Sequence, residues 1–191
     1  MSISYRMMAG SLILIGAAQF IVGMMIAEAL YTDYSIADNY ISDLGVGPSA
    51  LIFNSSVWLF GLLIVAGAYC IMLAYGRGIV PVLFFLAGVG AMGVGVFPET
   101  FGTLHAIVSM ITFVFGGLSA IAAFKLEKAP LNYISVITGV IGLVALALFA
   151  SGTYLGLGKG GMERMIAYPL VLWSIAFGGH LLGIKESSQK L

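Results

Sequence analysis

Most of the side chains that could do chemistry in this sequence fall in three short polar stretches. The first is YISDLG at positions 40–45, followed at position 54 by an asparagine about one turn inside an apolar run. The carboxylate of Asp43 could act as a base or bind a cation, although Ser42 and Asp43 could equally cap a turn. The amide of Asn54 must find a hydrogen-bond partner at that depth.

The second polar stretch is FPETFGTLH at positions 97–105. Pro98 ends one predicted helix, and His105 falls in the first turn of the next, with Glu99 close by in the loop. A helix N-terminus disfavours the protonated imidazole, so a neutral His105 could serve as a base, as a metal ligand or as a structural hydrogen-bonding residue. The candidate catalytic residues, which are also the candidate ligands of a divalent metal, are Asp43, Glu99 and His105. Their spacing matches no zinc motif such as HExxH.

The third polar stretch is LGLGKGGMER at positions 155–164, in which the glycines permit tight turns. Arg164 has the side chain that grips a phosphate at two points, and it could equally pair with Glu163 or with a carboxylate of a neighbouring loop. Glu28, in the last turn of the first apolar segment, could extend to the membrane interface. The candidate ligand-binding residues are Ser42, Asn54, Glu163 and Arg164.

The composition indicates that lipid, not water, surrounds most of the chain. Of the 191 residues, 61% are hydrophobic and only 8% are charged, whereas soluble domains carry about 25% charged residues. The formal net charge is zero. Without a basic patch to release counterions from phosphates, nucleic acid is excluded as a partner.

Six apolar segments predict an all-α fold, a single polytopic transmembrane bundle of six helices that occupies residues 1–191. Basic residues set the orientation, because they concentrate in cytoplasmic loops. With both termini cytoplasmic, six basic residues lie inside and two, Lys159 and Arg164, lie outside. This places the three polar stretches at the outer face of a multi-pass protein of the cell membrane. The predicted spans are about 7–31, 50–75, 79–97, 103–124, 131–155 and 165–184.

The two histidines are predicted to lie near opposite faces of the membrane. His180 falls roughly 15 residues into the sixth span, or ~22 Å along its axis at 1.5 Å per residue, whereas His105 begins the fourth. This separation weighs against a haem held by both histidines. The role of His180 stays open, as do the cofactor content and any divalent metal.

Three segments in the same order resemble the signature blocks of a known family. They are NYISDLGVGPSALIFN, GVFPETFGTLH and GLGKGGMERMIAYPLVLW. They are similar to a prokaryotic six-span membrane protein family of unknown function, the domain of unknown function nine-nine-eight. The resemblance implies the six-helix fold and brings no activity. More remotely, the pattern from Ile41 to Phe53 is similar to eukaryotic autophagy-modulator and glycolipid-remodelling membrane proteins, whose common theme is lipid. The matching positions are Ser42, Asp43, Gly45, Pro48, Asn54, Pro98, His105, Glu163 and Arg164.

We therefore expect an integral membrane protein with an outward-facing polar site that binds or processes a lipid or its head group, with Arg164 on the anionic group. Whether the site is catalytic stays open. The alternatives are a haem- or quinone-binding redox protein, a non-catalytic partner subunit and a small transporter. Membrane lipid is the expected partner, together with a second copy of the chain or another membrane protein.

Overall fold

A computed structural model describes residues 4–183 as six long helices joined by short connections. The helices are α1 (Tyr5–Leu30), α2 (Ala50–Tyr75), α3 (Ile79–Val96), α4 (Thr103–Ala122), α5 (Leu131–Ala150) and α6 (Gly158–Gly183). Short 3-10 turns occupy Ser42–Gly45, Glu99–Phe101 and Ala123–Lys125. All six helices are long and apolar enough to cross a membrane. The predicted all-α fold with six membrane-spanning helices is confirmed.

The six helices form a closed ring. Each helix packs against the next in the chain, and α6 returns to pack against α1. Because successive spans alternate in direction, the connections gather at two faces. We call the face formed by residues 31–49, 97–102 and 151–157 the loop face. We call the opposite face the termini face. It is formed by residues 76–78 and 123–130, by the start of α1 and by the end of α6.

Glycines allow the helix backbones to approach closely. A Cβ atom at Gly61 of α2 would lie 2.5 Å from the carbonyl oxygen of Gly88 on α3, and one at Gly10 of α1 would lie 2.7 Å from the carbonyl oxygen of Gly178 on α6. Neither contact leaves room for a side chain. Helices in lipid associate through such close packing, since the hydrophobic effect gives no drive between them there.

The sixth helix begins seven residues earlier than the sequence predicts. The sequence predicted a loop for the glycine-rich run before residue 165. In the structure, residues 158–164 form the first turns of α6 and pack against the segment 36–39. The backbone N–H of Gly160 donates to the carbonyl of Ala37 at 2.9 Å, and a Cβ at Gly160 would overlap the carbonyl of Asn39. The glycines therefore serve close packing, and Glu163 and Arg164 lie within a helix.

The fifth helix ends five residues earlier than predicted, at Ala150. The N–H of Thr153 donates to the carbonyl of Leu148 at 2.9 Å, and that of Gly152 donates to Phe149 at 3.0 Å. These two bonds form a Schellman motif, which ends a helix at a glycine of positive φ, here +73° at Gly152. The last predicted residue of the sixth span, 184, and the basic residues Lys185 and Lys190 lie outside the described residues.

Candidate functional site

Arg164 is the most extensively bonded side chain at the loop face. It lies in the second turn of α6 and is 5% exposed. Its Nη2 donates to the Glu28 carboxylate at 2.6 Å and to the Tyr34 hydroxyl at 2.7 Å, and its Nε donates to the Tyr168 hydroxyl at 3.1 Å. Its Nη1 faces three backbone carbonyls, those of Ile36, Asn39 and Gly160.

Every N–H of the Arg164 guanidinium thus has an acceptor within the protein. The group ties the segment 34–39 to α1 and α6. It pairs with Glu28, and not with Glu163 or a loop carboxylate as the sequence suggested. Glu28 in turn does not simply extend to the interface, because a buried positive charge needs a close counter-charge. Burial also raises the pKa of Tyr34, whose hydroxyl accepts from Arg164, to about 12, so this hydroxyl stays neutral.

Glu163 anchors the next part of the loop. Its carboxylate accepts the backbone N–H of Ile41 at 2.5 Å, and the side chain is buried. Asp43 acts locally, because its Oδ2 accepts from the Asn39 amide at 2.9 Å and from the backbone N–H of Tyr40 at 3.0 Å. The loop 34–45 is therefore fixed at both ends by buried or half-buried polar groups.

Glu99 lies against this loop from the connection between α3 and α4. The hydroxyl of Ser42 reaches its Oε2 at 3.4 Å. Burial raises the pKa of Glu99, and the neighbouring carboxylate of Asp43 raises it further, while Ser42 and Lys159 lower it. Burial and the Asp43 carboxylate both disfavour the charged form of the Glu99 carboxyl group.

His105 occupies the first turn of α4, as predicted from its position after Pro98. Its Nδ1 lies 2.8 Å from the carbonyl of Phe97, which can only accept, so Nδ1 carries the proton in the neutral ring. Its Nε2 is then an acceptor and lies 3.3 Å from the hydroxyl of Ser109. The pair is a base next to a hydroxyl, positioned by a backbone carbonyl.

Asn54 connects the loop to α2. Its amide nitrogen donates to the carbonyl of Gly45 at 2.9 Å, while its buried oxygen has no partner among residues 4–183. A Cβ at Gly45 would lie 2.6 Å from that oxygen. The partner that the sequence required for Asn54 is thus the end of the 3-10 turn at Ser42–Gly45.

A cavity occupies the middle of the helix ring. Its volume, taken as the space open to the centre of a water molecule, is about 100 Å³. Its wall is apolar and aromatic over most of its length, and α1, α2, α3, α4 and α6 all contribute to it. Ser42, His105, Ser109 and Glu163 line its loop-face end, and Ser119, Trp173 and Ser174 line its deeper end.

The predicted site residues all lie at the loop face, but they do different things there. Ser42, His105 and Glu163 line the cavity. Arg164, Asn54 and Asp43 hold the loop that covers it. Within residues 4–183, no group of three or more His, Cys, Asp or Glu side chains is placed to hold a metal ion. Asp43, Glu99 and His105 are therefore not assembled as a metal centre here.

The sequence analysis did not identify some residues of the site. Tyr34 and Tyr168 could not be predicted, because nothing in their spacing marks them as partners of Arg164. Ser109 did carry one, since it follows His105 by four residues and so shares its helix face. His180 lies near the termini-face end of α6, far along the bundle from His105, so the two do not face one group.

The fold and the buried polar site define a multi-pass integral membrane protein. The chain belongs to the family described as "Protein of unknown function (DUF998)", whose model matches residues 14–180. The predicted family membership is thereby confirmed. No curated protein and no solved structure matches the chain.

We predict that Arg164→Gln lowers the free energy of unfolding by about 3 kcal/mol, because it leaves the half-buried carboxylate of Glu28 without its counter-charge. Unfolding in mixed detergent micelles measures this. Arg164→Lys should restore little, since a compact ammonium group cannot reach acceptors spread around the edge of the planar guanidinium, at Nε, Nη1 and Nη2. Arg77→Gln, in the exposed turn at the termini face, is the matched control. An Arg164→Gln protein as stable as this control would contradict the account.

Proposed function

We propose that the central cavity binds a membrane lipid, with the apolar chain inside the helix ring and the head group at the loop face. The observation that supports this is the polarity of the cavity. Its walls are apolar along most of their length, and ionisable side chains line only the loop-face end. An amphiphile has the same division, so its chain can pack against the apolar wall while its head group meets the polar end.

The charges at the loop-face end favour a head group that donates hydrogen bonds. Arg164 is paired with Glu28 and has no N–H left for a ligand. Glu163 lines the cavity itself, and the carboxyl groups of Asp43 and Glu99 lie beside it. Carboxylates accept hydrogen bonds. We therefore propose an amine or hydroxyl head group in place of the anionic group first expected, with Arg164 shaping the site and not contacting the lipid.

Binding is the part of the proposal that the cavity supports directly. A chemical step on the bound lipid would draw on His105 and Ser109, which both line the cavity. In this pair the Nε2 of His105 is placed to take the hydroxyl proton of Ser109, which is how a serine becomes a nucleophile. Asp43 and Glu99 would then hold the head group.

We also propose that the loop face is the outer face of the cell membrane. Among the described residues, four basic side chains lie toward the termini face, namely Arg6, Arg77, Lys125 and Lys128, and only Lys159 and Arg164 lie toward the loop face. This asymmetry supports cytoplasmic termini. The lipid would then be taken from the outer leaflet.

We expect Thr32→Cys to react with a membrane-impermeant maleimide on intact cells, because Thr32 is exposed at the loop face. The background is Cys70→Ala, since Cys70 is a buried free cysteine. Gly78→Cys, exposed at the termini face, should react only after the membrane is permeabilised. The reverse labelling pattern would overturn the proposed orientation.

The lipid proposal predicts that brominated acyl chains quench the fluorescence of Trp173, which lines the cavity and is buried. The protein is Trp58→Phe, so that Trp173 is the one remaining tryptophan. It is reconstituted in vesicles that contain brominated phosphatidylethanolamine or brominated phosphatidylcholine, whose quaternary ammonium group has no N–H to donate. Quenching should be stronger with the ethanolamine lipid, because its ammonium group donates hydrogen bonds to carboxylates.

Two alanine-to-leucine substitutions distinguish quenching by a lipid in the cavity from quenching by lipid around the bundle. Ala87→Leu adds a side chain to the cavity wall and should reduce the quenching. Ala147→Leu adds the same side chain to an exposed position of α5 and should leave it unchanged. Equal quenching in both variants would show that no chain enters the cavity.

A further inference from the structure

A second buried acidic group lies at the termini face, on the side of the bundle away from the proposed lipid head group. Glu127, in the connection between α4 and α5, is 7% exposed. Neither of its carboxylate oxygens has a hydrogen-bond partner among the described residues. A buried carboxylate without partners is costly, so this placement requires a physical explanation that packing does not give.

The surroundings of Glu127 connect it to the central cavity. Ser135, in the second turn of α5, is the one side chain near enough to favour the charged form of Glu127. The fully buried Ser135 hydroxyl accepts the indole N–H of Trp173 at 2.7 Å, so its own proton remains to be donated. Trp173 lines the cavity and stacks on Phe177 at 5.3 Å between ring centroids.

We propose that Glu127, Ser135 and Trp173 form a proton-binding site at the termini-face end of the central cavity. Glu127 takes a proton from water at the termini face to become a neutral carboxyl group, and it returns that proton on ionisation. In the ionised state its carboxylate accepts the Ser135 hydroxyl. When the Ser135 hydroxyl turns to donate to Glu127, its hydrogen bond with the Trp173 indole changes. Because Trp173 lines the cavity, the ionisation of Glu127 alters the cavity wall.

The electrostatic surroundings place this exchange near neutral pH. Burial raises the pKa of Glu127 to about 7, against a smaller lowering by Ser135. Among the described residues, the titratable groups nearest to it in the chain are Lys125 and Lys128, followed by Tyr133 at the start of α5. None of them shifts the pKa of Glu127, and the two lysines and Tyr133 are exposed. Within the described part of the chain, burial and one hydroxyl therefore set the protonation of Glu127.

The test is a pH titration of Trp173 fluorescence between pH 5 and pH 9, on the full-length Trp58→Phe protein in detergent without added lipid. We expect the emission to change with a midpoint near 7, the pKa of Glu127. Glu127→Gln should abolish the transition, because the amide does not titrate. Asp33→Asn, which removes an exposed acid at the loop face, should leave it unchanged.

Ser135→Ala gives a second, independent readout. Removing the hydroxyl that links Glu127 to the indole should abolish the Trp173 transition, because the titration of Glu127 then has no route to the indole. A transition that survives in Glu127→Gln, or no transition in the parent protein, would overturn the proposal. If Glu127→Gln fails to give a monodisperse protein, a transition that persists in Ser135→Ala would overturn it alone. Because no lipid is added, the result is separable from that of the lipid proposal.

Discussion

The structure of the loop face depends on burying one positive charge. Arg164 is taken out of water by the early start of α6, and a buried guanidinium is tolerated only when every N–H finds an acceptor. Glu28 supplies the counter-charge, and the loop 34–39 supplies the carbonyl oxygens. The loop is thus folded around the arginine. The loop continues to Ile41, whose backbone N–H donates to Glu163, and then to the 3-10 turn that carries Ser42 and Asp43.

The polarity of the cavity follows from this arrangement. The ring of apolar helices leaves space at its centre, and the loop closes one end of that space with polar groups. Glu163 has two roles, because it accepts the backbone N–H of Ile41 in the loop and also lines the cavity. The other end is apolar except for three hydroxyl-bearing or indole side chains, beyond which Glu127 lies buried. One bundle therefore presents ionisable groups at two depths, with an aromatic wall between them.

Much of the fold could be predicted from the sequence, because hydropathy and helix length alone determine the membrane spans. The predicted end of α5 and the predicted start of α6 were wrong, and both lie in glycine-rich segments. In α6 the glycines serve close backbone contact with residues 37–39, and only the tertiary structure distinguishes that use from a turn. The three polar stretches did predict which residues gather at the loop face. The partner of Arg164 was not predictable, since Glu28 is 136 positions away, and Glu127 was passed over because its burial depends on how the loop 126–130 folds back.

We propose that the cavity holds one lipid with its head group at the loop face. Native mass spectrometry of the purified protein, with detergent removed stepwise, tests this most directly. We predict one copy of a lipid with an amine or hydroxyl head group, retained by the parent protein and lost when Ala87→Leu fills the cavity. A protein that retains no lipid in a one-to-one ratio, or that retains it equally in Ala87→Leu, would contradict the account.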